Sequence, residues 1–296
     1  HCSCPRGCFR ERYIMNIASF LRENRQSYGI VNRDELYPVG PRFQKDFPDL
    51  KAVIAAGRIA ELNRHCEETA IPLSKVALLP PISEPGKIIC VGMNYRKSYP
   101  VEGMALPDPG NVVIFARHTE TLVGHGVPLE MPKGEAANSF DFEGEIVAVI
   151  GKSGRHITEA DAMDHVMGYS IMNEGSVRGW MKHSVHAGKN FHASGSWGPW
   201  ITTVDEIVDP ASLKLETRLN GDLMQSATAS EMIFSLSELI TYISNLLPLN
   251  PGDIIATGSP DGTGGSRKPP VFLKAGDCVD VTVCGIGTLK NSVGAE

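Results

Sequence analysis

The clearest pattern along the chain is an apolar run that follows three alternating carboxylates. Asp141, Glu143 and Glu145 alternate, and Glu145 leads into the apolar, largely β-branched residues 146–150. Such a run predicts a buried β-strand. Because alternate residues of a strand face the same side of a sheet, the pattern predicts that negative charge is concentrated on one face where the strand begins.

Two interpretations of this acidic triplet are open from the pattern alone. Like charges held close together repel unless a cation lies between them. A hard divalent ion, Mg²⁺ above all, takes oxygen ligands of this kind. The alternative is an acidic edge strand that faces water, which is common in sheet proteins.

Beyond this strand, the chain divides into a short N-terminal unit and a longer, strand-rich unit. Residues 15–80 include a stretch with apolar residues at helical spacing, 49–66, which predicts a helix. The segment 80–86 is rich in proline and turn-forming residues, so we place the domain boundary there. Strand patterns dominate residues 87–296. The sequence therefore predicts an α+β fold that is mainly β, with a small N-terminal domain.

Turn and capping signals locate several further elements. Asn220-Gly221 lies between two predicted strands and indicates a β-hairpin. Capping signals at Thr158 and Ser235 each predict the start of a helix, and the second helix has an apolar stripe typical of a core-facing element. Short strands are predicted at 17–20 and 28–31. We find no βαβ rhythm and no phosphate-binding glycine loop, which disfavours a nucleotide-binding fold.

Composition narrows the class of protein. The chain has 296 residues, of which 42% are hydrophobic, and a formal net charge of −6, so it can bury a sizeable core. The acidic balance and the lack of Lys/Arg runs argue against nucleic-acid partners. No stretch of the sequence approaches 18 consecutive apolar residues, so we expect no transmembrane helix and no membrane partner.

The seven cysteines indicate a reducing compartment, and we expect a cytoplasmic protein. Three of them lie within residues 1–14 beside His1. These ligand types are compatible with zinc, but no second ligand pair follows at zinc-site spacing. We therefore interpret 1–14 as an upstream extension or an expression artefact. The other cysteines are scattered rather than arranged as a disulfide framework: Cys66, Cys90, Cys278 and Cys284.

Four separated motifs carry the candidate chemistry. Each alone is a weak signal, since Arg178 fits a surface ion pair with Glu174 and Lys189 fits a solvated side chain. In chain order the motifs are Asp141-Phe142-Glu143-Gly144-Glu145, Asn173-Glu174 with Arg178, Gly188-Lys189-Asn190-Phe191 and Thr257-Gly258-Ser259-Pro260. Together, from about residue 87 to the C-terminus, they resemble the fumarylacetoacetate hydrolase superfamily.

The resemblance implies a C-terminal mixed β-roll with the active site at its mouth, a homodimer, and Mg²⁺ or Mn²⁺ as the cofactor. It also implies small 2-oxo or 2,4-dioxo acids as substrates, as in aromatic catabolism. Matched residue by residue, the implied metal ligands are Glu143, Glu145 and Glu174, the last at a position where the family usually has aspartate. The implied substrate-binding residues, of which Arg178 and Lys189 are also catalytic, are Tyr95, Arg178, Lys189 and Thr257.

The departures from the family pattern concern the base that activates water. Many hydrolases and decarboxylases of the family have a His and a Glu in the lid that Asn94-Tyr95 opens, and here those positions hold Ser98 and Val101. Gly179 and Met181 replace a second aspartate and a frequent glutamine. Candidates for a replacement base are four histidines, each of which fits a surface or packing role as well: His125, His183, His186 and His192.

We expect C–C bond cleavage in a small 2-oxo or 2,4-dioxo acid, because cleavage is the commonest activity of the family. A metal-stabilised enolate also fits a decarboxylase, isomerase, hydratase or other lyase, and the missing His/Glu pair favours reactions without an activated water. Two alternatives belong to other classes of protein. One is a non-catalytic metal- or ligand-binding paralogue, and the other is a scaffolding dimer.

Overall fold

The computed structural model describes residues 15–96 and 109–295. Residues 1–14 and the lid positions 98 and 101 lie outside this part of the chain, so the expectations about them stay predictions. Within it the fold is mainly β, as the sequence predicts, with a long mixed sheet and a smaller antiparallel sheet.

The strands and helices are numbered in chain order. The strands are β1 (Asn16–Arg22), β2 (Arg25–Asn32), β3 (Glu35–Pro38), β4 (Ile71–Pro72), β5 (Ala77–Leu78), β6 (Ile88–Gly92), β7 (Val113–Ala116), β8 (Leu122–Val123), β9 (Phe140–Asp141), β10 (Gly144–Ile150), β11 (Val166–Asn173), β12 (Ser176–Val177), β13 (Gly195–Thr203), β14 (Lys214–Leu219), β15 (Asp222–Thr228), β16 (Ile254–Ala256), β17 (Cys278–Val283) and β18 (Gly287–Ser292). The helices are α1 (Pro41–Asp46), α2 (Leu50–Ala55), α3 (Leu62–His65), α4 (Val185–Lys189) and α5 (Leu236–Leu246).

The larger sheet runs in the order β4-β3-β2-β1-β13-β11-β10-β16-β6-β7, with β5 beside β1 and β8 beside β13. The smaller sheet runs β15-β14-β17-β18, and β9 pairs with β12 alone. Strand β1 pairs with β13, so strands of the N-terminal region continue the sheet formed by the rest of the chain. A domain boundary at residues 80–86 stays a prediction.

The centre of the larger sheet brings several strand ends to one edge. β10 is antiparallel to both β11 and β16, with Gly144 opposite Asn173 and Val147 opposite Ala256. β16 is parallel to β6. The start of β10 therefore lies beside the ends of β11, β16 and β6, and residues that follow these three strands meet at this edge.

Both faces of strand β10 are covered by apolar side chains. Val147 and Val149 pack in one core cluster, whereas Ile146, Ala148 and Ile150 pack in another. Burial of each of these valine and isoleucine side chains stabilises the fold by about 1.5–3 kcal/mol. The continuous apolar run 146–150 thus reflects a strand that is buried on both faces. This packing fixes the position of the acidic residues that precede the run.

Two local predictions are confirmed. Asn220 and Gly221 join β14 to β15 in a two-residue turn with φ values of 52° and 91°, which suits a residue pair that tolerates positive φ. Helix α5 begins after Ser235, whose side chain accepts the N–H of Glu238 while the Glu238 carboxylate accepts the N–H of Ser235. The capping box was therefore a sound signal.

Two predicted helices differ from the structure, one in its length and the other in its type. The predicted helix over 49–66 is interrupted, because α2 ends at Ala55 and Gly57 takes a φ of 67°, a conformation typical of a helix terminus. The region after Thr158 forms turns and a short 3₁₀ segment, Ala162–His165, instead of an α-helix. The Thr158 hydroxyl donates to the Asp161 carboxylate at 2.7 Å, which closes a local turn.

Among the helices in the described part of the chain, none has the length and apolar character that crossing a membrane requires.

Candidate active site

Three carboxylates converge at the edge where the central strands end. Glu143 and Glu145 lie at the start of β10, and Glu174 follows β11. All three are buried, and one carboxylate oxygen of each lies within 4.8 Å of those of the other two. The backbone fixes their spacing, because the N–H of Glu174 donates to the carbonyl of Glu143 at 2.7 Å and the N–H of Glu143 donates to Asn173 Oδ1 at 3.1 Å.

Two cations lie against these carboxylates. Lys189, the last residue of α4, donates from Nζ to Glu143 Oε2 at 2.5 Å and to Glu174 Oε2 at 2.6 Å. Arg178 follows β12 and contacts Glu143 Oε1 through Nη2. Burial alone lowers the pKa of Lys189, but the charges of Glu143 and Glu174 outweigh it and raise that pKa above its usual value. Lys189 is therefore held as a cation.

Asp141 does not join the carboxylate cluster, which corrects the interpretation of the acidic triplet as one charged face. Residues 142–143 separate β9 from β10, so strict alternation does not extend from Asp141 to Glu145. Asp141 instead accepts a hydrogen bond from Arg178 Nε at 2.7 Å. The acidic-edge alternative is also wrong for this stretch, because all three carboxylates of the triplet are buried.

The cluster fits a hard divalent cation on its own chemistry. Among the described residues, the three clustered carboxylates and the adjacent Asp141 outnumber the nearby cations Arg117, Arg178 and Lys189. The buried Glu174 Oε1 accepts no hydrogen bond from residues 15–96 or 109–295. Burial, together with Glu174 and Glu143, raises the pKa of Glu145 well above its usual value. Oxygen ligands with uncompensated negative charge are what Mg²⁺ and Mn²⁺ bind.

The two remaining predicted site residues lie at the same edge. Tyr95, which follows β6, is buried and forms a backbone bridge with Met232. Burial and the charge of Glu145 raise the pKa of its phenol. Thr257 follows β16, and its hydroxyl donates to the carbonyl of Ile146 at 2.9 Å. The structure thus brings Tyr95 and Thr257 to the edge that holds the acids, with the Thr257 proton already donated to the backbone.

Two side chains that support the site were not assigned a role by the sequence analysis. Asn94 donates to the Thr257 carbonyl at 2.8 Å and accepts the N–H of Phe234. Arg117 is buried and donates to the Gly175 carbonyl at 2.8 Å, next to Glu174. The adjacency of Asn94 to Tyr95 was a usable signal. No signal in the sequence pointed to Arg117, because a single arginine after an apolar strand is common at the ends of strands in general.

The four candidate histidines have partners that do not single out a base. His125 Nδ1 accepts the N–H of Lys290 at 3.2 Å, and burial lowers the pKa of His125. His192 Nδ1 lies 2.9 Å from Glu130 Oε2 in an exposed hydrogen-bonded contact. The rings of the other two meet aromatic or imidazole rings edge to face: His183 with Trp180, and His186 with His118.

The family of the chain follows from a direct comparison. The family model described as fumarylacetoacetate (FAA) hydrolase C-terminal matches residues 87–294. The match covers most of the chain and all three carboxylates of the cluster. The chain therefore belongs to the fumarylacetoacetate hydrolase superfamily, whose enzymes process oxo acids.

Individual relatives agree with this membership. An oxaloacetate tautomerase, YisK, of Bacillus subtilis (strain 168) is 43% identical over 225 residues, 75% of this chain and 74% of the relative. A fumarylacetoacetate hydrolase structure from Exiguobacterium antarcticum has a TM-score of 0.82 at 35% identity, covering 95% of this chain and all of that one. A maleylpyruvate hydrolase from Sphingobium sp. SYK-6, solved with manganese (II) ion and pyruvate, has a TM-score of 0.76 at 27% identity, with coverages of 95% and 99%.

Proposed function

We propose that this protein is a metal-dependent enzyme that interconverts the keto and enol forms of a small 2-oxo acid such as oxaloacetate. The observation that carries the proposal is the buried cluster itself. The cluster contains three buried carboxylates that suit a divalent metal ion, and the side chains of Lys189 and Arg178 lie against them. Ser98 and Val101 occupy the positions at which many family members have the His/Glu pair that activates water. This favours a reaction that does not use water as a nucleophile. The 43% identical relative is named for such a reaction.

The metal is proposed to be Mg²⁺ or Mn²⁺, held by Glu143, Glu145 and Glu174. When bound, such an ion acts as a Lewis acid toward the oxygens of an oxo acid. Both ions accept the same oxygen ligands, so the donor set favours neither. The manganese in the maleylpyruvate hydrolase structure supports a divalent site in this fold.

The cations of the chain have separate proposed roles. Tautomerisation moves one proton from C3 to the C2 oxygen, and negative charge develops on that oxygen in between. Lys189 stays protonated between two carboxylates and is placed to stabilise this charge. Arg178 donates from Nη1 to the Met181 sulfur at 3.9 Å, and a thioether is a weak acceptor. This Nη1 edge is proposed to exchange the sulfur for the substrate carboxylate. Substrate contacts by Tyr95 and Thr257 stay proposals.

A second candidate is hydrolytic C–C cleavage of an acylpyruvate. The similarity in fold to a maleylpyruvate hydrolase favours it. It requires a base that activates water, and the described residues identify none.

The test follows the enol absorbance of oxaloacetate as it approaches equilibrium, with Mg²⁺, Mn²⁺ or EDTA. We expect metal-dependent acceleration with no change in the mass of the acid. Acylpyruvates incubated in parallel are analysed by mass spectrometry. Release of pyruvate from them, without accelerated tautomerisation, would replace the first candidate with the second. No effect on any acid would support the non-catalytic paralogue.

We also propose that the protein is a cytoplasmic homodimer. Light scattering coupled to size-exclusion chromatography tests the dimer, with an expected mass of twice the 32.0 kDa chain. A monomer mass would contradict it.

A further inference from the structure

The carboxylate of Asp141 makes more hydrogen bonds than a simple ion pair requires. Asp141 is fully buried. Its Oδ1 accepts the backbone N–H groups of Phe142 and Gly264, each at 2.8 Å. Its Oδ2 accepts the N–H of Gly265 at 2.9 Å and Arg178 Nε at 2.7 Å. Each oxygen thus receives two donors, and the carboxylate is locked in one orientation.

Arg178 is clamped by this carboxylate on one side. Its Nε donates a hydrogen bond to Asp141, and its Nη2 contacts Glu143. Two acids therefore fix the plane of the guanidinium and leave the Nη1 edge directed away from them. We propose that Asp141 is a positioning residue, which holds Arg178 so that this edge receives the carboxylate of the oxo acid. This inference rests on the proposed function for the identity of the acid.

The loop that completes the clamp has glycine at both donor positions, and the two positions differ in how little space they leave for a side chain. A Cβ at Gly264 would lie 2.7 Å from Asp141 Oδ1 and 1.9 Å from the Val271 carbonyl oxygen. A Cβ at Gly265 would lie 3.2 Å from Asp141 Oδ2 and 3.3 Å from Arg178 Cγ. A side chain at Gly264 would therefore force the loop away from Asp141, whereas one at Gly265 would fit only if its neighbours shifted by a few tenths of an ångström.

An amide cannot replace this carboxylate, although it has the same size. Asparagine presents one oxygen and one NH₂ group. In either orientation its NH₂ would face two N–H donors of the clamp. Asp253 offers a matched contrast, because it is equally buried but its Oδ1 has no hydrogen-bond partner among the described residues. Asp253→Asn can therefore point its NH₂ group away from existing donors.

The experiment measures binding of pyruvate to the manganese-loaded protein by calorimetry, with manganese affinity measured separately. We expect Asp141→Asn to weaken pyruvate binding at least about tenfold, with a much smaller change in manganese affinity. Asp253→Asn should bind pyruvate as the wild-type protein does. In an Arg178→Gln background, Asp141→Asn should cause no further loss, because both changes act through the same contact.

Three results would overturn the inference. The first is wild-type pyruvate affinity in Asp141→Asn, and the second is an equal loss whether or not Arg178 is present. The third is no pyruvate binding by the manganese-loaded wild-type protein. If Asp141→Asn does not fold, Gly265→Ala tests the same clamp by crowding Asp141 and Arg178, and unchanged affinity there also overturns it. Pyruvate binding without oxaloacetate tautomerisation would refute the proposed function. The role of Asp141 would still be decided by the pyruvate affinities of the variants.

Discussion

Strands β10 and β16 carry buried charge at both ends, and the two ends differ in charge balance. At one end Asp253 pairs with Lys87, with 2.7 Å between Oδ2 and Nζ, and the N–H of Asn250 donates to the same oxygen. Within this ion pair the charge of one acid balances that of one base. At the other end, within the described residues, Glu145 and its neighbouring carboxylates outnumber the bases in contact with them.

The difference separates a structural ion pair from a binding site. A buried pair with balanced charge needs no further partner, whereas an uncompensated buried charge is costly. A fold that retains an acid excess in its interior gains stability from a cation that the chain does not supply. The imbalance, more than the burial, is the reason that we propose the start of β10 as the functional end of the sheet.

The largest expected effect comes from Glu143→Gln, because Glu143 contacts both Lys189 and Arg178 and is one of the three proposed metal ligands. We expect metal-dependent turnover to be lost. Metal affinity should fall by more than the about 10–100-fold typical of residues that only support a ligand. Glu216→Gln is the matched control, since Glu216 also pairs with a lysine and an arginine but is partly exposed. Equal losses in both variants would contradict the assignment.

Lys189→Met should have the next largest effect. Loss of a cation at the developing oxyanion should reduce kcat by about 10²–10³-fold. The metal-free variant should also lose about 3–5 kcal/mol of unfolding free energy, because two buried carboxylates lose their partner. Steady-state kinetics and urea unfolding measure the two effects. The control is Lys214→Met at an exposed pair, and unchanged kcat in Lys189→Met would remove the proposed oxyanion role.

The stability of the metal-free protein should depend on pH through Glu145. Its pKa lies near 4.5 without the fold and well above that in the folded chain. The folded state therefore binds the additional proton, and stability falls as the pH rises above about 4.5. Thermal unfolding at several pH values should show this decline, and Mn²⁺ should reduce it. A metal-free protein that gains stability over that range would argue against an acid excess.

The smallest effect is expected at the balanced end of the sheet. Lys87→Met leaves Asp253 without its cation and should lower the free energy of unfolding by about 1–3 kcal/mol. The kcat/KM of the metal-loaded enzyme should not change, because Lys87 lies at the opposite end of the strands. A large loss of activity with normal stability would show that the two ends are not independent.

Much of the fold was predictable where the pattern is local. The apolar run 146–150 predicted a buried strand, and the capping box at Ser235 predicted helix α5. The predicted helix over 49–66 was too long because the apolar spacing continues past Gly57, while its positive φ breaks the helix. Backbone conformation at one residue overrode a periodic pattern.

The sequence motifs singled out residues that lie close together in the fold, but they did not give the geometry. The structure brings the three carboxylates and both cations of those motifs together, while their roles as metal ligands and catalytic groups stay proposals. The role of Asp141 could not be predicted, because the break between β9 and β10 and the approach of Gly264 and Gly265 are tertiary features. Arg117 is similar, since its contact with Gly175 joins residues far apart in the chain.

The most direct test of the acid excess is a calorimetric titration of Mg²⁺ and Mn²⁺ into metal-free wild-type protein and into Glu143→Gln. We predict one site in the wild-type chain, and a melting temperature that rises with metal concentration as binding to the folded state requires. We predict neither in Glu143→Gln. Absence of binding to the wild-type protein, or equal binding to both proteins, would contradict the account.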